Sequence, residues 1–135
     1  MSETISPLCD LTQLGFAEID NDHREFVAIV EAIRQADSSE FGPLFLKLVE
    51  HTEAHFNREN QLMESSGFPA LAEHRGEHHR VLGEARQMAD RVRAGRMMMP
   101  KAYALEQLPG WFNLHIRTMD AATVRWLEQY NESRG

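Results

Sequence analysis

The sequence predicts an all-α fold: an up-down-up-down antiparallel bundle of four helices behind an N-terminal arm. Two observations carry this. Apolar residues recur three and four apart in four separate stretches, each bounded by polar or glycine-containing breaks. On the same faces lie His23, His55 with Glu59, His74 with His78, and His115 with Asp120, ligand-type side chains at helix-turn spacing. Four segments can gather such a set only if all four helices turn one face to a common centre, and the set reads as the ligands of a two-metal site.

Residues 1–16 lack a clear period and read as the arm. The first helix is predicted to begin between Ala17 and Asp22, with Ile19, His23, Phe26, Val27, Val30 and Ile33 inward. It should end at Asp37-Ser38-Ser39, residues suited to a turn and to capping the next helix. A second helix is expected from Glu40–Pro43, since proline is tolerated in a first turn. Its face is Phe45, Leu48, Val49, Thr52, His55, Phe56, Glu59, Leu62 and Met63, and Gly67 can close it in the left-handed conformation.

The third helix carries Leu71, His74, His78, Val81, Leu82, Ala85, Met88 and Val92, and Gly95 closes it. Gly76 and Gly83 lie seven apart within it, on one side, where a close helix approach is expected. The fourth spans Pro100 to Tyr130, with Leu105, Leu108, Trp111, Phe112, His115, Met119 and Trp126 inward. Pro109 cannot donate to the Leu105 carbonyl, so this helix should bend or restart there and bring Trp111 against the site. Met97-Met98-Met99, in the connection before it, reads as loop filler rather than a soft-metal site.

At 135 residues the chain has the length of one domain, 1–135, with 42% hydrophobic and 26% charged residues. A net charge of −7 argues against nucleic acid, because no basic stripe is available to follow phosphates. No apolar run approaches the ~20 residues needed to span a bilayer. The first residues show no basic segment followed by an apolar one, so no signal peptide is expected. Cys9, the lone cysteine, has no intramolecular partner and fits a cytoplasmic setting as an inert loop residue.

Residues four apart on a helix fall within about 40° of one another, so His55/Glu59 and His74/His78 each share a face, and that face is the apolar one. A single histidine there is commonly a core residue with its hydrogen bond satisfied. Seven ligand-type side chains on four inward faces are different, because burying them without a metal or opposite charges would be very costly. His115 and Asp120, five apart, diverge by about 140° in a regular helix; a wider turn or a long side-chain reach must reconcile them. His79 comes directly after His78 and should point to solvent, while His51, one turn before His55, can approach the site without entering it.

The stretches Ile19-Asp20-Asn21-Asp22-His23, His55-Phe56-Asn57-Arg58-Glu59, His74-Arg75-Gly76-Glu77-His78 and Trp111-Phe112-Asn113-Leu114-His115-Ile116, leading to Asp120, resemble the hemerythrin family, in particular its single-domain bacterial members. The resemblance runs from about Gly15 to Trp126. It implies a non-haem centre of two Fe ions, hydroxo- or oxo-bridged, that binds O2 reversibly. By position, His74, His78 and His115 would hold one iron, His23 and His55 the other, and Glu59 and Asp120 would bridge. One iron is then filled and the other keeps an open position for O2, or for small anions such as azide in the oxidised form.

Five histidines against two acids set this apart from carboxylate-rich di-iron oxidases, whose ligands are mostly Glu. The leading reading is therefore an O2 carrier, store or sensor rather than an enzyme, with no catalytic residue assigned. The alternatives are a di-iron oxidase, peroxidase or nitric-oxide-handling enzyme, or a signalling module acting on a partner in trans. Phe26, Phe56, Trp111, Phe112 and Ile116 are expected to exclude water. The chain departs from the family pattern at Asn60, where relatives often have an acid, at Ala121-Ala122-Thr123, where an aromatic is common, at His51, where a Tyr is common, and at Pro109-Gly110.

Overall fold

The computed structural model describes residues 14–134. It holds helices α1 (Ala17–Gln35), α2 (Ser38–Ser66) and α3 (Leu71–Arg93), then a fourth helical rod built of α4 (Met98–Ala102), a π turn (Tyr103–Gln107), α5 (Leu108–His115), a second π turn (Ile116–Asp120) and α6 (Ala121–Arg134). No strand occurs among the described residues. The connections are two to four residues long, which makes consecutive helices antiparallel neighbours. The result is the four-helix bundle that the periodicity predicts. Most of the expected arm, with Cys9, lies outside the described residues.

The entry to α1 is tied down by its own first turn. The backbone N–H groups of Leu14 and Gly15 donate to the two carboxylate oxygens of Asp20, at 2.7 and 2.9 Å. Helix α2 begins at Ser38, earlier than the expected 40–43, because Asp37 and Glu40 form a reciprocal cap. The Asp37 carboxylate takes the N–H of Ser39 and Glu40, and Glu40 takes that of Asp37 at 3.1 Å. Pro43 therefore sits one turn inside the helix. At the other end Gly67 adopts φ +69°, and the N–H of Phe68 closes on the Met63 carbonyl at 3.0 Å.

One expectation is corrected and a second made specific. Gly76 and Gly83 are exposed, and a Cβ at either would meet nothing within 4 Å, so they mediate no helix approach. The fourth rod does not break at Pro109, but its regular α bonding begins again beside it, at Leu108, after a π turn. Its backbone stays right-handed through the turn before the proline, where the ladder widens and Leu108 N–H bonds the Tyr103 carbonyl, five residues back. The π turn lets the missing N–H fall where the bonding pattern already slips by a residue. The rod also starts two residues early, at Met98. Met98 and Met99 are exposed, and successive helical residues point about 100° apart, so the run cannot converge on one ion.

The apolar core comes in two parts. The larger gathers Phe26, Val30, Ile33, Phe45, Leu48, Val81, Leu108 and Phe112 among others; the smaller is Ile19, Val124 and Leu127. On α1 the buried order is Ile19, His23, Phe26, and on the fourth rod Phe112, His115, Asp120, Val124. The polar cluster thus lies between the two parts, sealed along the bundle axis on both sides.

Candidate metal centre

All seven residues singled out by spacing meet in this layer, and none is more than 4% exposed. Helix α1 supplies His23, α2 supplies His55 and Glu59, α3 supplies His74 and His78, and the fourth rod supplies His115 and Asp120. The awkward five-residue step is resolved by the second π turn. Its i→i+5 bonding puts His115 and Asp120 on one face, with Nε2 and Oδ1 3.1 Å apart.

The ligand-type atoms fall into two groups that share both carboxylates. One is Glu59, His74, His78, His115 and Asp120; the other is His23, His55, Glu59 and Asp120. Each carboxylate turns one oxygen to each group. Glu59 Oε1 faces Nε2 of His74 and His78 at 3.3 and 3.1 Å, while Oε2 faces His55 Nε2 at 3.4 Å. Asp120 Oδ1 faces Nε2 of His74 and His115 at 3.0 and 3.1 Å, while Oδ2 faces His23 Nε2 at 2.9 Å.

These contacts make poor sense as hydrogen bonds and good sense as a coordination shell. Both Glu59 oxygens and Asp120 Oδ1 are buried and lack a properly directed donor. Nε2 of His115 lies 3.0 Å from that of His74 and 3.2 Å from that of His78, a crowding of like nitrogens. Ligand atoms about 2.1 Å from one octahedral ion sit about 3.0 Å from their neighbours, which is the spacing found.

The outer ring nitrogens point the same way. His55 Nδ1 donates to Asp22 Oδ2 at 3.0 Å, His78 Nδ1 to Asn60 Oδ1 at 2.9 Å, and His74 Nδ1 to the Thr123 hydroxyl at 2.8 Å. Thr123 sends its own proton toward Met63 Sδ at 3.7 Å, leaving its oxygen to accept. With Nδ1 carrying the proton, each of these rings turns a lone pair inward from Nε2, the tautomer that binds a metal. The residues present fit a pair of metal ions.

Electrostatics without an ion are strained. Burial and the Asp120 charge push the Glu59 carboxyl up, but the neighbouring histidines outweigh them and hold it low. Burial likewise raises Asp120, and the charge and contacts of His115, with those of His23 and His74, pull it well below the usual carboxylate range. Burial works against charged imidazoles and drives His78 down to about 4, whereas Asp120 and Glu59 overcome it at His74 and lift that ring to about 9. A cation would replace these shared protons.

Aromatic rings wall the cluster. Phe56 stacks on His78 at 4.0 Å, Phe112 meets His23 edge-on at 5.4 Å, and Trp111 stacks on His115 at 4.4 Å with its indole N–H on Glu77. Trp111 thus sits against the site, as expected, though through the π turn rather than a break. His79 is exposed and outside the cluster. His51 donates through Nε2 to the Asp22 carbonyl at 3.0 Å and lies parallel to His55 at 6.4 Å, near the site but outside it.

Spacing missed Asp22 and Thr123 as partners, and Asn60 was marked only as a departure. Each supports a histidine on a different helix, so helical periodicity contains no sign of the pairing. Adjacency to Glu59 was the one available cue for Asn60.

A family model described as the hemerythrin HHE cation binding domain matches residues 14–127. The chain is 36% identical over 116 residues to a bacteriohemerythrin of Ralstonia nicotianae, covering 86% of this chain and 84% of the relative. It is 27% identical over 117 residues to a bacteriohemerythrin of Stenotrophomonas maltophilia, covering 84% and 75%. No solved structure matches. The matched span takes in all seven residues of the cluster and reaches into every helix of the bundle, and the chain belongs to the hemerythrin family.

Proposed function

We propose that this protein binds O2 reversibly at a non-haem pair of iron ions, serving oxygen carriage, storage or sensing without turnover. When bound, a ferrous pair supplies the two electrons that reversible O2 binding needs. The observation that carries the reading is the asymmetry of the cluster. Both groups share Glu59 and Asp120, but one adds three histidines and the other two. His74, His78 and His115 would hold one ion with three nitrogens, and His23 and His55 would hold the other with two, one ligand fewer, which would leave room for an external molecule.

The rest of the chain's contribution is to hold this set and keep water away. Neutral imidazoles outnumber carboxylates, which keeps the anionic charge around the metal low and favours the ferrous state. Buried Phe26, Phe56, Phe112 and Ile116, with Trp111 outside His115, exclude water and the protons it would deliver.

The test is the optical spectrum of reduced, iron-loaded protein. Air should produce a visible band that argon or vacuum removes over repeated cycles, and azide should compete for the same position in the oxidised form. Immediate, irreversible oxidation with turnover of an added reductant would replace this reading with a di-iron enzyme.

A further inference from the structure

Three of the histidines, His55, His74 and His78, have outer nitrogens on acceptors that lie among the described residues, and these acceptors differ in one respect. His74 leans on a hydroxyl and His78 on an amide oxygen, both neutral, whereas His55 leans on the Asp22 carboxylate. Asp22 is itself gripped by Arg58 through both Nε, at 2.9 Å, and Nη2. The Asp22 side chain is 7% exposed and that of Arg58 48%, so the chain Arg58–Asp22–His55 leads from solvent to the two-histidine group. A carboxylate that accepts Nδ1–H draws the proton from the ring and strengthens Nε2 as a donor. A guanidinium forked onto that carboxylate withdraws part of the effect.

We propose that Asp22 and Arg58 are positioning residues that set the donor strength of His55, and with it the reduction potential of the two-histidine half of the centre. The proposal rests on the di-iron reading above. More donation to one ion stabilises its ferric form and lowers its potential. Asp22 therefore pushes toward ferric, and Arg58 restrains it. The effect enters through the two-histidine half because the ligand histidine that Asp22 bonds is His55, while His74 and His78 lean on neutral groups.

The experiment is spectroelectrochemical titration of iron-loaded wild type, Asp22→Asn, Arg58→Gln, Arg58→Lys and Glu25→Gln, with thermal unfolding of each. Asn at 22 keeps an oxygen for His55 but removes the charge, so the potential should rise. Gln at 58 leaves the Asp22 charge uncompensated, so the potential should fall. Lys at 58 should restore most of the wild-type value. Glu25→Gln neutralises an exposed carboxylate on the same helix that faces His51 Nδ1 at 3.4 Å and no histidine of the centre, and it should move the potential less than Asp22→Asn. Shifts of the same sign in Asp22→Asn and Arg58→Gln, or none, would reduce the pair to a tether between α1 and α2 and overturn the proposal. So would a Glu25→Gln shift as large as that of Asp22→Asn.

A second readout does not depend on O2. Co(II) binding to the metal-free protein should weaken about 10–100-fold at one of two sites in Asp22→Asn. Unchanged affinity at both sites counts against the proposal. If Asp22→Asn fails to fold, the fall in Arg58→Gln and its recovery in Arg58→Lys carry the test, since that side chain is half exposed. Wild type that holds two ions but gives no air-dependent band defeats the O2 reading and leaves this one standing; wild type that binds O2 with shifts of one sign does the reverse.

Discussion

His115 Nε2 and Asp120 Oδ1 lie 3.1 Å apart although five residues separate them on one helix. The π turn Ile116–Asp120 makes this possible, and Thr118 Oγ1 donates to the Leu114 carbonyl at 2.7 Å on its outer, exposed side. A π turn holds one residue more than an α turn. Deleting Thr118 should therefore restore a regular helix, place the aspartate four residues from His115, and preserve both helical circular dichroism and metal content. Inserting an alanine after Thr118 should rotate Asp120 by about 100° and abolish metal uptake. Loss of metal in the deletion would show that the wide turn itself is required.

Metal stoichiometry should be two ions per chain. Because Glu59 and Asp120 each face both groups, Glu59→Ala or Asp120→Ala should reduce bound metal more than His23→Ala, which touches one group. Elemental analysis of the purified proteins decides this. A wild-type value of one ion at full occupancy would rule out the paired arrangement.

Metal uptake should release protons. His74, lifted to about 9 in the metal-free cluster, is charged at pH 7 and must lose that proton to bind a cation. Calorimetric titration in buffers of different ionisation enthalpy should show the release, with apparent affinity rising up to about pH 9. The same shifts shape the stability of the metal-free fold. The raised His74 contributes fully below its ordinary 6.5, and this is lost as pH climbs through about 9. The lowered Glu59 and Asp120 contribute above their ordinary 4.5 and 3.8, and lose it as pH falls further. The lowered His78 adds a further loss as pH falls from 6.5 through about 4, because the unfolded ring takes up a proton that the buried one refuses, so the melting temperature of the metal-free protein should peak near pH 6.5. An affinity independent of pH from 6 to 9 would contradict this account.

Thr123→Val keeps the shape but removes the acceptor for His74 Nδ1, so metal affinity should fall about 10–100-fold. His79→Ala, on the exposed side of α3, should leave affinity and spectrum unchanged. Equal losses in the two variants would mean that the register of α3 has been misread.

Much of this protein is local in origin. The 3–4 spacing of apolar residues decides which face of each helix turns inward, and His55/Glu59 and His74/His78 share those faces by the geometry of a single turn. Spacing therefore identified four helices and the candidate residues that gather between them, with Asp120 kept in the set by the family resemblance. The step from His115 to Asp120 left a choice open, because five residues fit either a bulge or a long reach. Tertiary packing chose the bulge, as it chose a π turn over a break ahead of Pro109. Beyond reach of any periodicity were the partners of the histidines: Asp22 for His55, Asn60 for His78, Thr123 for His74. Periodicity encodes the direction in which a side chain leaves its own helix, not the axial level at which the next helix stands beside it. That level depends on how the whole bundle packs, so the outer hydrogen bonds of the centre exist only once the helices have docked.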